Sequence, residues 1–166
     1  GTPIAGICGG YQMLGKSIVD GCGAEGGGST SGLGLLPVHT EFQEEKHRTR
    51  VCGKALQSDM LPELSGASVE GYEIHMGKTT LEQGATSPIQ LDNGLTDGCI
   101  CGAVFGSYLH GFFDTSQCRD GLIKTLCRRK GIPWEEVSSF NYAAYKEQQY
   151  DMLADAVRSN LDMQMI

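Results

Sequence analysis

The sequence predicts an α/β fold in which a mixed β-sheet is flanked by helices. A short apolar run at residues 3–7 predicts a buried strand, and it leads directly into residues 10–19, where apolar side chains recur at helical spacing. Residues 35–42 and 68–76 alternate apolar and polar side chains, as half-buried strands do. Two further helical patterns lie near the end of the chain. Strands mixed with flanking helices indicate α/β, and the alternating strands indicate that part of the sheet is antiparallel.

The other elements are predicted in order along the chain, without an internal repeat. Met13, Leu14 and Ile18 share one face of the first helix, and Gly21 is placed to end it. Residues 43–50 are too polar for a core and predict a hairpin-like loop. The remaining predictions are a glycine-rich loop at 21–34, strands at 51–56, 87–92 and 99–109, and helices at 116–130 and about 140–162.

Apolar faces support the two C-terminal helices. Gly131 is placed to end the first of them. The apolar side chains of the first are Leu122, Ile123, Leu126 and Cys127. Those of the second are Tyr150, Leu153, Ala156, Val157 and Leu161.

The composition excludes several classes of function. The chain has 166 residues, a length that suits one domain, and a net charge of −7. Its Lys and Arg residues are scattered apart from residues 128–130, so nothing indicates nucleic-acid binding. It has no signal peptide and no run of about 18 apolar residues, so we expect no membrane span. Gly26, Gly27 and Gly28 lack the Lys-Ser/Thr of a phosphate-binding loop, and we expect a loop that is mobile or borders the active site instead.

The seven cysteines are odd in number and irregular in spacing. Without a secretion signal, this pattern favours free thiols in a reducing cytoplasm. Cys99 and Cys101 form a C-x-C pair, but a metal site would need a second pair or histidines at ligand spacing, so we expect no metal. We expect four other cysteines to pack in the interior; these are Cys22, Cys52, Cys118 and Cys127.

Cys8 carries the strongest functional signal. It follows the first predicted strand, is flanked by Gly6 and by Gly9-Gly10, and precedes a predicted helix. A strand, a tight turn and a helix around G-x-C-x-G are typical of a nucleophile elbow, whose strained turn holds the nucleophile clear of the sheet. The helix N-terminus behind Cys8 favours negative charge there. Cys8 is therefore the candidate nucleophile.

His110 is the candidate base. It follows the predicted strand that ends the 99–109 segment, and open α/β sheets place their chemistry at such strand ends. A thiol nucleophile needs a group that takes its proton and later protonates a leaving amine, which histidine does near neutral pH. His39 and His47 lie in a charged stretch, and we expect them to be solvated.

Three strings identify a family. The elbow, residues 6–15, resembles that of class I glutamine amidotransferases. The strings Gly71-Tyr72-Glu73-Ile74-His75-Met76-Gly77 and Gly106-Ser107-Tyr108-Leu109-His110-Gly111 narrow the resemblance to the cobalamin-pathway branch of that family. The likeness covers nearly the whole chain, residues 1–166, which we expect to form one amidotransferase domain. It implies a flavodoxin-like fold whose N-terminal strands precede Gly1.

The resemblance implies a glutaminase. Cys8 would attack the side-chain amide of glutamine, and His110 would activate the thiol and protonate the departing ammonia. The backbone N–H of Gly9 would be one oxyanion donor, while the second comes from an upstream loop in related enzymes. Gln12 matches the position that contacts substrate glutamine in the family.

The chain departs from the common family pattern beside His110. Class I amidotransferases typically carry His-Pro-Glu, in which the Glu orients the His, whereas Phe112 stands at the position of that Glu here. The cobalamin branch is understood to lack this acid, so the group that orients His110 is not identified. Glu73 is a candidate, since it shares a strand face with His75. The alternative is that Glu73 and His75 brace the fold or a domain interface.

The resemblance also implies partners outside the chain. Ammonia would pass to a synthetase domain of the same protein, which uses ATP and Mg²⁺ to amidate the b, d, e and g carboxylates of a corrin; the amidotransferase domain itself needs no cofactor. Three alternatives remain: the module of a related synthetase, such as cobyrinic acid a,c-diamide synthase or a cell-wall amidotransferase; a stand-alone cysteine hydrolase of similar fold; and a non-catalytic interaction domain. Retention of both Cys8 and His110 argues against the last.

Overall fold

A computed structural model describes residues 2–136 and 140–162. The strands are β1 (Ile4–Ile7), β2 (Ser17–Asp20), β3 (Gly28–Ser31), β4 (Val38–Ala55), β5 (Ser68–Leu81), β6 (Ile89–Leu91), β7 (Thr96–Asp97), β8 (Cys99–Cys101) and β9 (Val104–Ser107). The helices are α1 (Gly9–Leu14), α2 (Ser116–Lys130) and α3 (Tyr142–Asn160). Short 3₁₀ turns lie at Pro62–Leu64 and Trp134–Glu136.

The strands form two sheets. The smaller has the order β1-β9-β8, with β1 and β9 parallel and β8 and β9 antiparallel. The larger has the order β3-β2-β4-β6-β7, and β5 also pairs with β4, in the antiparallel direction. Parallel and antiparallel pairs thus occur together, and the prediction of an α/β fold with a mixed sheet is confirmed.

β4 and β5 form a long antiparallel ribbon. Their register runs from Val38 opposite Leu81 to Lys54 opposite Ser68, with an irregularity between Phe42 and His47. The prediction of a loop at residues 43–50 is therefore wrong. A ribbon whose faces are largely exposed satisfies its backbone through the partner strand and does not need apolar side chains, so polarity alone does not exclude a strand there.

The first helix is shorter than predicted. α1 ends at Leu14, and residues 17–20, predicted to continue it, form β2 instead. Ser17, Ile18 and Val19 pair with β4 on one side and β3 on the other, so sheet pairing overrides the helical spacing. The glycine-rich segment 21–34 likewise contains a strand, β3, rather than loop alone.

The helix bounds near the end of the chain are close to those predicted. α2 begins after the Thr115 cap and ends at Gly131, which has φ 68°. The apolar side chains of α3 are exposed: Tyr150 is 55% and Leu153 63% exposed. The apolar spacing predicts the helix without stating what covers its apolar face. In the described residues, no helix is long and apolar enough to cross a membrane.

Two groups of buried side chains meet at the end of β9. The larger surrounds Phe105, Leu109 and Phe112, and the smaller surrounds Tyr11 and Tyr108. Because Tyr108 and Leu109 are adjacent in the chain and enter different groups, the segment that precedes His110 is anchored on both sides. The core therefore fixes the chain directly before His110, the candidate base.

The cysteines divide differently from the expectation. All seven are free, and Cys118 and Cys127 are buried as predicted. Cys22 and Cys52 are exposed, so the expectation that they pack in the interior is wrong. Cys52 lies in a strand with alternating burial, and its parity in β4 places it on the exposed face.

Candidate active site

Cys8 lies at a strained turn between β1 and α1. Its backbone has φ 53° and ψ −116°, and among the described residues it is the one non-glycine with positive φ. Such a conformation costs about 1–3 kcal/mol and persists where the surroundings fix it. Gly6 has no room for a side chain, because a Cβ there would meet Leu14 and the backbone of Gly10. The strand–turn–helix geometry of a nucleophile elbow is therefore present.

His110 is brought to the same edge by β9. β1 and β9 are parallel neighbours, with Ile7 opposite Ser107, and the N–H of Cys8 donates to the Ser107 carbonyl at 2.9 Å. Cys8 follows the carboxyl end of one strand, and His110 lies three residues beyond the carboxyl end of the other. Carboxyl ends of parallel strands meet at one sheet edge, which is where α/β folds place reacting groups.

β5 holds the backbone of His110. The N–H of His110 donates to the carbonyl of Tyr72 at 2.9 Å, and the N–H of Tyr72 donates back at 3.1 Å. Gly71 allows this approach, because a Cβ on Gly71 would collide with the His110 carbonyl. The first glycine of the Gly71–Gly77 string is thus explained by a close contact between two backbones.

The imidazole of His110 is oriented by the aromatic ring of Tyr72 and not by a carboxylate. It stacks on Tyr72 with centroids 4.9 Å apart and planes 1° apart. Phe112, at the position of the usual acid, is buried in the core against Phe105 and Phe113. The buried Nε2 of His110 has no hydrogen-bond partner among the described residues. This nitrogen is uncommitted, as a base reserved for a substrate or thiol proton must be.

The same strand contacts the cysteine. The Cys8 thiol lies 3.5 Å from the carbonyl of Ile74, to which it donates. Tyr72 and Ile74 are two residues apart on β5, so one edge of that strand approaches both His110 and Cys8. β5 therefore forms one wall of the site.

Gln12 is buried and not an exposed helix residue. Its amide donates to the hydroxyl of Tyr108 at 3.1 Å, and that hydroxyl is also 2.6 Å from the hydroxyl of Thr79. A Cβ on Gly77 would collide with the Gln12 amide and come within 2.8 Å of Thr40. The second glycine of the Gly71–Gly77 string thus makes room for the Gln12 side chain.

Among the described residues, Glu73 and His75 form no hydrogen bond with His110. Glu73 accepts from His47 at 3.1 Å, and Nδ1 of His75 donates to the Gly77 carbonyl at 2.8 Å. Burial raises the pKa of Glu73 and lowers the pKa of His75. The hypothesis that Glu73 orients His110 is wrong in this structure, because its partner is His47. His47 is exposed, as predicted, and its ring also pairs with Glu73. His39 is likewise paired, with Glu82 at 2.9 Å.

Three potential metal ligands lie together on the ribbon. His47 is directly opposite His75, and their ligand atoms and that of Glu73 lie within 4.8 Å of one another. The hydrogen bond between His47 and Glu73 accounts for their closeness without an ion. A cleft of about 990 Å³ lies beside His110 and Tyr72, and it does not include the His47, Glu73 and His75 group.

Sequence reasoning missed three residues that shape the site. Tyr72 and Tyr108 lie within the strings that identify the family, so their positions were visible but their contacts were not. Asp97 gave no signal, because an acidic residue beside a glycine is typical of a turn. Its carboxylate is buried below the end of β9.

A strained cysteine elbow and a histidine at the end of the next parallel strand, on a mixed α/β sheet, are the arrangement that the resemblance to class I glutamine amidotransferases implies. The profile of the CobB/CobQ-like glutamine amidotransferase domain matches residues 1–118, and the chain belongs to that family.

Two similar relatives carry one name. The cobyric acid synthase of Lachnoclostridium phytofermentans is 45% identical over 186 residues, covering 99% of this chain and 35% of that protein. The cobyric acid synthase of Citrobacter koseri is 44% identical over 174 residues, covering 100% of this chain and 34% of that protein. The chain thus spans about a third of the length of these curated relatives.

A solved structure supports the fold. A protein of Thermoplasma acidophilum, described as a component of GMP synthase, has a TM-score of 0.50 and 11% identity, over 78% of this chain and 59% of that one. At this identity the likeness shows the fold alone.

Proposed function

We propose that this chain is the glutamine-hydrolysing part of a cobyric acid synthase. The observation that carries the proposal is that Cys8 and His110 follow the carboxyl ends of two neighbouring parallel strands. The family supports the substrate class, and the relatives support the larger protein. Residues 1–166 would form the C-terminal part of the amidotransferase domain.

The chemistry begins at the thiol. His110 takes the proton of Cys8, and the thiolate sulfur attacks the side-chain amide carbon of glutamine, forming a C–S bond. The C–N bond then breaks, the histidine returns its proton to the nitrogen, and ammonia leaves. Water, activated by the same imidazole, attacks the glutamyl thioester and releases glutamate and the thiol.

Two further groups have proposed roles. The N–H of Gly9, the first residue after the nucleophile, would donate to the oxyanion of the tetrahedral intermediate. The Gln12 side chain would contact the substrate. Its burial and its hydrogen bond to Tyr108 support this role, since they hold the amide in one orientation on α1, the helix that follows Cys8.

The ammonia would be used elsewhere in the complete protein. A synthetase part that binds ATP and Mg²⁺ would activate the b, d, e and g carboxylates of a corrin for amidation. We propose a cytoplasmic location, which the seven free thiols support.

Glutamate release by the complete protein tests the function. Cys8→Ser and His110→Asn should each lower kcat by about a hundredfold or more. Cys101→Ser is the matched control, because Cys101 is an exposed cysteine away from the elbow, and it should leave kcat unchanged. Free ammonia should restore corrin amidation in Cys8→Ser. Normal glutamate release by Cys8→Ser would overturn the proposal and favour a non-catalytic or binding role.

A further inference from the structure

Asp97 is a buried carboxylate beneath the strand that presents His110. It ends β7, it is 6% exposed, and no described residue forms an ion pair with it. A buried carboxylate without an ion pair lowers stability unless hydrogen bonds offset its desolvation. The position of those hydrogen bonds therefore indicates what the group does.

The hydrogen bonds of the Asp97 carboxylate reach the end of β9. It accepts from the Ser107 hydroxyl at 2.5 Å and from the N–H of Tyr108, which lies 3.2 Å from both oxygens. The Ser107 hydroxyl in turn accepts from the N–H of Leu109 at 3.0 Å. One carboxylate thus satisfies two successive N–H groups, one directly and one through a hydroxyl.

These two N–H groups lie where the strand pairing stops. β9 ends at Ser107, so Tyr108 and Leu109 have no ladder partners. Pairing resumes at His110, whose N–H donates to Tyr72. Buried backbone donors must find acceptors, and without Asp97 the chain between these two anchors would be free to adopt another path.

We infer that Asp97 is a positioning residue for His110: its carboxylate, acting through Ser107, fixes the main chain of Tyr108 and Leu109 and so sets where the imidazole emerges. The role rests on the proposed glutamine hydrolysis by this site. It differs from that of the acid in the usual His-Pro-Glu arrangement, because Asp97 acts on the backbone before the histidine and not on its ring.

The inference is tested in the complete protein with Asp97→Ala and Asp97→Asn. Asp97→Ala should lower kcat for glutamine hydrolysis by about ten- to a hundredfold, as small displacements of a catalytic group do, with KM changed by less than about twofold. Asp97→Asn keeps the shape and one acceptor and should fall between Asp97→Ala and wild type. The amides of Tyr108 and Leu109 should lose protection from hydrogen exchange in Asp97→Ala.

A matched control separates positioning from stability. Thr125 is also buried, and its hydroxyl donates to the Gly121 carbonyl at 2.9 Å within α2, away from the site. Thr125→Ala should lower stability and leave kcat unchanged. Ser107→Ala is a smaller change, which should free the Leu109 amide and lower kcat less than Asp97→Ala.

The outcomes separate the two proposals. If wild type hydrolyses glutamine and folded Asp97→Ala or Ser107→Ala keeps the wild-type kcat, the positioning role is overturned while the proposed function stands. If wild type releases no glutamate, both are overturned. If Asp97→Ala does not fold, Asp97→Asn and Ser107→Ala decide by the same criterion.

Discussion

The rings of His110 and Tyr72 lie parallel, 1° apart in orientation and 4.9 Å apart at their centroids. Their backbones exchange two hydrogen bonds, at 2.9 and 3.1 Å. An imidazole is usually oriented by a carboxylate that accepts from one of its nitrogens. Here β5 holds the backbone of His110, and the ring of Tyr72 holds its imidazole. This arrangement explains how the chain has Phe112 where an orienting acid is common.

Removing the aromatic face should slow the reaction. Tyr72→Ala should lower kcat for glutamine hydrolysis by about two- to tenfold, because a stacked pair contributes about 0.5–1.5 kcal/mol. Tyr72→Phe keeps the ring and should retain nearly the wild-type kcat. Steady-state kinetics of the complete protein measure both. Equal losses in the two variants would show that the hydroxyl, and not the stack, matters.

Gly71 should tolerate no side chain. A Cβ there would collide with the His110 carbonyl, so Gly71→Ala should break the Tyr72–His110 bridge, cost about 1–3 kcal/mol of stability and lower kcat. Gly21→Ala is the matched control, since Gly21 lies in open space without positive φ. Urea denaturation and kinetics measure the two effects. Wild-type behaviour of Gly71→Ala would contradict the close approach.

The loop after β2 should depend on pH through Asp20. Its carboxylate accepts N–H bonds from Glu25, Gly27 and Ala24, and these hold the pKa of Asp20 at about 2, below its ordinary 3.8. A lowered pKa stabilises the fold above the unfolded-state value, and this stabilisation is lost as pH falls from about 4 to about 2.

The matched variant for this titration is Asp20→Asn. Its melting temperature should lie below that of wild type near neutral pH, and the gap should close as the pH approaches about 2. Thermal denaturation from about pH 6 to about pH 2.5 measures the gap. A gap that stays constant over this range would mean that the ionised carboxylate does not hold the loop.

The exposed face of α3 should contribute little to the stability of this chain. Leu153 is 63% exposed, whereas Leu64 is 1% exposed. Leu64→Ala should cost about 2–5 kcal/mol, and Leu153→Ala less than about 0.5 kcal/mol. Urea denaturation of both variants measures the difference. Similar costs would show that another part of the molecule covers the α3 face.

The sequence predicted best where local chemistry decides the structure. The elbow at Cys8, the strand before His110 and the Gly131 end of α2 depend on glycines, short apolar runs and caps within a few residues. The prediction failed where the pairing partner of a segment decides its structure. Residues 17–20 form a strand because β4 lies beside them, and residues 43–50 form a strand because β5 lies beside them. No local sequence pattern reveals these partners.

The predictions for the candidate site divide in the same way, between local sequence and distant contacts. Cys8 and His110 were predicted from their flanking residues, and the structure places them after the ends of neighbouring parallel strands; their catalytic roles stay predictions. The contacts of Glu73 were predicted wrongly, because sharing a strand face with His75 does not reveal that His47 lies across the ribbon. Asp97 and Tyr72 act through contacts between segments distant in sequence, and only the folded chain brings these segments together.

Mass spectrometry of the complete protein after exposure to a reactive glutamine analogue shows whether Cys8 is the nucleophile. We predict one modified cysteine of the seven, Cys8, with protection by glutamine and loss of labelling in His110→Asn. Labelling spread over the exposed thiols of Cys22, Cys52 and Cys101 while Cys8 stays unmodified would contradict it.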